Sequence, residues 1–244
     1  MESTESIYTD LPETLGHIEQ FTMLAYGASG TGKTRTIAQI PGCCFLSCDP
    51  GKYGGLISAV DISPKPIQIR IKDWQHYLTV LPQLEKDAGV KFTTLVLDPI
   101  NEFQRMTMQH ILQFSAKELP RFEDWNLCVE RIRAAIRKLS SLNCNFIILS
   151  TEQMQKDETL GRMYGLPNIP GKLAQELPAM VDICLHFYTK SGYAADGSKK
   201  TTYMFSSTSD DVWTAKDRFN IFKSETVIPF NGAVELFKPL LGVK

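Results

Sequence analysis

Eight consecutive residues carry the sharpest chemistry in the sequence: Gly27-Ala28-Ser29-Gly30-Thr31-Gly32-Lys33-Thr34. Glycines at these places let backbone N–H groups converge on phosphate oxygens, and a helix starting after the loop adds a favourable dipole. In this pattern Lys33 reaches the β- and γ-phosphates, and the Thr34 hydroxyl joins the shell of a Mg²⁺ ion. Arg35 extends the nucleotide-binding run by one residue. The segment therefore predicts a grip for a nucleoside triphosphate, read as ATP with Mg²⁺.

Such a grip needs a carboxylate in the metal shell, placed where a buried strand ends. Phe92-Thr93-Thr94-Leu95-Val96-Leu97-Asp98 supplies one in Asp98, although an Asp before Pro99 could instead cap the next helix. Hydrolysis further needs a group that orients or deprotonates water. Two acids end other apolar runs: Asp49 after Phe45-Leu46-Ser47-Cys48, and Glu152 after Ile147-Ile148-Leu149-Ser150-Thr151. Either could also be a solvated loop acid, and Gln153 or Thr151 could sense the γ-phosphate. No Cys or His spacing suits a transition metal.

The elements that must position these residues follow from apolar periodicity. Phe21 to Tyr26 reads as a buried strand entering the glycine-rich loop, and Lys33 to Ile40 as a helix stopped by Pro41-Gly42. Strands are expected at Cys43–Cys48, Pro66–Ile71, Phe92–Leu97 and Asn145–Ser150, with helices at Trp74–Ala88, Ile100–Leu119 and Glu123–Leu142. Gln155 to Gly171, rich in Gly, Pro and charge, reads as a loop, followed by a short helix at Lys172–Met180. Asp182–Thr189 and Thr201–Ser206 alternate like a hairpin joined by Gly192 to Lys200, and Thr214 to Phe237 predicts one or two more strands. The expected fold class is α/β: a mainly parallel central sheet, helices on both faces, and antiparallel strands added at the C-terminal edge. Residues 1–17 read as a flexible arm and 18–244 as a single domain.

The branch of phosphate-loop proteins narrows by elimination. No compact Arg-rich lid marks a small-molecule kinase, and no Asn-Lys-x-Asp element reads guanine. Thr214-Ala215-Lys216-Asp217-Arg218-Phe219 resembles the late Lys-x-Arg-Phe element of RecA, RadA and DnaB-type ATPases. Phe45-Leu46-Ser47-Cys48-Asp49 resembles the RecA strand that ends in the catalytic acid, with Asp in place of the usual Glu. Gly171-Lys172-Leu173-Ala174-Gln175-Glu176-Leu177-Pro178, followed by Val181-Asp182, is similar to the helix and strand after the second DNA-binding loop of RecA. Together these resemble a RecA-like P-loop ATPase core of the phage Sak-four type, a group of single-strand annealing and recombination proteins.

That resemblance implies ATP hydrolysis, single-stranded DNA as partner, and self-association into a ring or filament. It implies that Lys216 and Arg218 reach the γ-phosphate held by a neighbouring copy; their plainer reading is a solvated basic turn. It also implies DNA contacts on two segments, Ala116–Asp124 and Gln155–Lys172, the second carrying Lys156, Arg162, Tyr164 and Lys172. A single-strand-binding protein is a further expected partner. A partner switch that never touches DNA, or a helicase-like motor, is the alternative.

Bulk properties are compatible with these readings. At 43% hydrophobic and 22% charged, the 244 residues have ordinary globular composition. The net charge of −1 gives no overall nucleic-acid signature, so any DNA affinity must come from a local cluster of cations. No apolar run approaches the roughly 18 to 20 residues of a membrane helix, and the polar start does not look like a targeting peptide. No membrane role is expected, and the expected location is cytoplasm (the host's, if the chain is phage-encoded). The six cysteines, with no CxxC pair, read as small buried hydrophobes.

Overall fold

The computed structural model describes residues 20–242 except 52, 157, 159, 160, 170 and 195. The expected arm at 1–17, and residue 18 where the domain was to begin, lie outside the described residues. Along the chain run β1 (Thr22–Gly27), α1 (Lys33–Ala38), β2 (Cys43–Ser47), β3 (Ile67–Arg70), α2 (Trp74–Asp87) and β4 (Thr94–Asp98). Then come α3 (Ile100–Phe114), α4 (Phe122–Ser140), β5 (Asn145–Ser150), β6 (Glu152–Lys156), β7 (Met163–Pro167) and α5 (Leu173–Met180). The last third holds β8 (Ile183–Tyr193), β9 (Lys199–Ser206), β10 (Lys216–Asp217), β11 (Glu225–Val227) and α6 (Val234–Leu241).

The main sheet has the order β11-β9-β8-β1-β5-β4-β2-β3, with β10 also paired to β8. Its centre is parallel, β1 lying between β5 and β8 and β4 between β5 and β2. Strands β9, β10 and β11 add antiparallel pairs at the edge, as the sequence predicts. Burial on both faces explains the continuous apolar runs of β2, β4 and β5. Side chains alternate with period two. Leu24, Tyr26, Leu95, Leu97, Phe146 and Ile148 face one core, with Phe103 of α3 and Ile132 of α4. Met23, Ala25, Val96, Ile147 and Leu149 face the other, with Ile37 of α1 and Phe237 of α6. All six cysteines are free and buried within these cores, where burial pushes their thiols up, Cys128 to about 11 and Cys44 to about 12.

Four expectations need correction. Gln155–Gly171 is not a loop throughout: β6 and β7 form an antiparallel hairpin, with Glu152 opposite Pro167 and Lys156 opposite Met163. Its anchor is remote in sequence. The Gly165 N–H donates to Val212 O at 2.7 Å, and a Cβ on Gly165 would lie 2.0 Å from the Trp213 indole, so only glycine fits. Next, α3 stops at Phe114 rather than Leu119, because Ala116 turns to a φ of 51° and the Ser115 hydroxyl bonds back to Ile111 O. The tail ends in α6 rather than in strands alone. Finally, β8 and β9 run further than expected, so Lys199 and Lys200 lie in β9 and not in the turn.

Phe146 sits in the strand between β1 and β4 and is 1% exposed, so its truncation leaves a cavity the flanking strands cannot fill. Phe146→Ala is expected to lower the unfolding free energy by about 3–5 kcal/mol in urea denaturation.

Candidate nucleotide site

The glycine-rich loop leaves the C-terminal end of β1 through Gly27, whose φ is 154° and whose Cβ would lie 2.0 Å from Phe187 O of the adjacent β8. Gly30 and Gly32 have φ of 81° and 87°, and α1 begins directly after Gly32 with no side-chain cap on its first N–H groups. The Thr31 hydroxyl donates to Ala28 O at 2.8 Å, pinning the loop. Within this curve Lys33 Nζ donates to the carbonyls of Gly27 and Ala28, both at 2.8 Å. Burial lowers the Lys33 pKa to about 8, against the opposing pull of Asp98 and Glu152.

Asp98 ends β4, and its Oδ2 accepts the Thr34 hydroxyl at 2.9 Å. It does not cap α3, whose N-cap is Pro99 without a side-chain bond. Thr34 and Asp98 thus form a pair of hard oxygen donors, the donor class that Mg²⁺ takes alongside phosphate oxygens and water. Among the described residues there is no cluster of three or more His, Cys, Asp or Glu side chains that could hold a metal. This pair therefore suits an ion shared with a ligand and not a fully protein-made cage.

A cleft of about 580 Å³ is lined by Ser29, Lys33, Thr34, Asp49, Asp98 and Thr151, and also by Tyr203, Pro229 and Phe230, the Tyr203 ring lying against Gly32 of the loop. Arg35 lines the cleft beside Phe230. Its guanidinium takes both Asp61 carboxylate oxygens, at 2.7 and 2.9 Å, and lies 3.8 Å above the Phe230 ring. Tyr203, Pro229 and Phe230 were not anticipated from the sequence. They come from the C-terminal edge of the sheet, more than 160 residues after the loop, and only the sheet order brings them there.

The remaining candidates fall in three places. Asp49 lines the cleft and also accepts the Gly55 N–H at 2.9 Å, which fixes the 3-10 turn Gly54–Ala59 over the loop. That turn packs so closely that a Cβ on Gly55 would come within 2.9 Å of the Thr34 hydroxyl. Glu152 opens β6 on the other flank of the loop, in a second cavity shared with Ala28 and Thr31, and meets His186 Nε2 at 2.9 Å. Of the two sensor candidates, Thr151 lines the cleft, whereas the Gln153 amide is turned to the carbonyls of Pro167 and Ile169.

Lys216 and Arg218 are not brought to this site. Lys216 pairs with Cys184 on β8, level with Leu24 on β1, near the strand ends away from the loop. Both side chains donate to Ala179 O at 3.2 Å, and Arg218 also pairs with Asp182. Between them, Asp217 accepts the N–H groups of Phe219, Ile221 and Phe222, which accounts for an acid at that position. Lys156 and Arg162 are exposed at the inner ends of the β6–β7 hairpin, Tyr164 bonds Gln155 across it, and Lys172 is the exposed N-cap of α5.

Comparison with known proteins decides the family. A family model described as an AAA domain matches residues 19–219. The chain belongs to that family. It is therefore a P-loop domain of the ATPase class. No curated protein matches it. Among solved structures, the crystal structure of the RadB recombinase is similar at a TM-score of 0.49 and 13% identity, over 87% of this chain and 89% of that one.

Asp98 also gives a measurable pH effect. Burial lifts its pKa from 3.8 to about 6, although the Thr34 hydrogen bond acts in the opposite direction. Across that window the native chain holds a proton that the unfolded chain has lost, so stability falls as pH rises, and the full cost stands above the native pKa. Ligand-free Asp98→Asn, in which the amide oxygen still accepts from Thr34, is expected to exceed the parent in stability at neutral pH by about 1–3 kcal/mol. The advantage should vanish near the unfolded pKa, as read by urea denaturation at several pH values without Mg²⁺.

Proposed function

We propose that this chain is a RecA-like ATPase that acts on single-stranded DNA in recombination or annealing of the phage type, and that it works as a self-associated ring or filament. The observation that carries the ATPase part is the convergence of Lys33, Thr34 and Asp98 in a cleft whose lining also holds the Phe230 ring under Arg35. In this reading Lys33 and the loop N–H groups hold the β- and γ-phosphates. Thr34 and Asp98 hold Mg²⁺, which when bound neutralises phosphate charge. Asp49, in the same cleft, orients the attacking water, while Glu152 bounds the phosphates from the opposite flank. Phe230 and Arg35 cover the base.

Support for DNA comes from exposed Lys156, Arg162 and Lys172 beside Tyr164, a mixture of cations and a stacking ring on and next to one hairpin. Support for self-association comes from the placement of Lys216 and Arg218, which can serve a phosphate site only on another copy.

Lys33→Ala is expected to abolish ATP hydrolysis, and single-stranded DNA to raise the turnover of the parent chain. Retention of a labelled oligonucleotide in a gel-shift assay should fall steeply with salt. No shift at any salt would replace this reading with a partner-binding switch, and a strict monomer with ATP and DNA present would remove Lys216 and Arg218 from the site. Phe230→Ala should raise the KM for ATP about fivefold to tenfold through loss of ring contact, with kcat within about twofold.

A further inference from the structure

Beside the nucleotide cleft, a second cavity of about 410 Å³ is built around a buried histidine that the proposed chemistry leaves without a role. His186 lies on β8, is 4% exposed, and is enclosed by rings. The Trp213 indole stacks on it at 4.0 Å with the planes 13° apart, Tyr188 lies parallel at 5.7 Å, and Tyr26 is tilted at 5.1 Å. These contacts fix the imidazole plane. Its Nε2 meets Glu152 Oε2 at 2.9 Å, and because a carboxylate can only accept, Nε2–H is the donor. Burial holds the His186 pKa below the ordinary value despite the carboxylate beside it, which keeps the ring a neutral, single-tautomer donor at neutral pH.

The other contacts of this group lead in two directions. Glu152 shares its cavity with Ala28 and Thr31 of the phosphate loop and lies within electrostatic reach of Lys33. Trp213, on the far face of the imidazole, is held by the hairpin through the bridge to Gly165, where there is no room for a Cβ. Hairpin, indole, imidazole and carboxylate are therefore one unbroken set of contacts ending at the phosphate loop.

We infer that His186 is a positioning residue, which holds the carboxylate of Glu152, the first residue of the β6–β7 hairpin, at the flank of the phosphate loop, and that Trp213, bridged to Gly165 of the same hairpin, holds the imidazole in place. The inference rests on the ATPase reading above. It adds what that reading does not contain: a fixed donor for Glu152, itself held by a ring that the hairpin anchors through Gly165.

Steady-state ATP hydrolysis of the full chain tests it, with each variant first checked for a parent-like thermal transition. His186→Phe keeps the ring stack and removes the donor. It should lower kcat about tenfold to a hundredfold while the KM for ATP stays within about twofold. His186→Gln, whose amide can donate to the same carboxylate, should recover to within about threefold of the parent. Gly165→Ala, which displaces the indole, should reproduce the kcat loss without touching either residue. Glu152→Gln combined with His186→Phe should be no slower than the worse single variant, because the two act as one unit.

An unchanged kcat in His186→Phe, equal losses in the Phe and Gln variants, or losses that multiply in the double variant would each overturn the inference. If Lys33→Ala abolishes hydrolysis while His186→Phe does not slow it, only the positioning role fails. A parent chain that does not hydrolyse ATP removes the ATPase reading and the inference together.

Discussion

Much of this molecule is organised by the 2.9 Å hydrogen bond between the Thr34 hydroxyl and the Asp98 carboxylate. The two residues belong to elements that are not neighbours in the sheet. Thr34 follows β1, Asp98 ends β4, and β5 lies between those strands. For the pair to meet, the three strands must keep their register and end at a common level; they are buried on both faces, with Thr, Asn, Asp and Ser confined to their first and last residues. A one-residue slip would send every inward side chain to the opposite core and carry Asp98 away from the loop. Site geometry and core packing are thus one requirement.

The same requirement explains which parts of the molecule were legible in its sequence. The loop, the strand ending in Asp98 and the parallel centre are encoded locally, by glycine spacing and unbroken apolar runs, and the structure matches them. The aromatic lining of the cleft is not local. Tyr203 and Phe230 look like ordinary edge-strand and turn residues until the sheet order places the first against Gly32 and the second under Arg35. Gln155–Gly171 has loop composition, yet it pairs as a hairpin because Gly165 docks on Trp213, 48 positions later. Composition reports what a segment prefers alone, and this one is decided by a contact outside itself.

His186 shows a different limit. A lone histidine inside an apolar strand gives no sign that its ring is stacked on an indole and its nitrogen committed to an acid two strands away. Asp217 shows the converse: an acid between two cations of a basic element, it has a structural task in its three backbone acceptances. In both cases the side chain's use depends on partners brought together by the chain's turns. Residue type alone does not reveal it.

The two carbonyls that receive the Lys33 ammonium give nucleotide capture the character of an exchange. Any phosphate drawing that ammonium inward must outcompete Gly27 O and Ala28 O, which already satisfy it within the loop. A single weakly charged oxygen gains little by displacing two well-aligned acceptors. A polyphosphate, presenting several oxygens and more negative charge at the same point, gains much more. On the proposed ATPase reading, a threshold favouring longer phosphate tails follows from the backbone atoms that the lysine must leave.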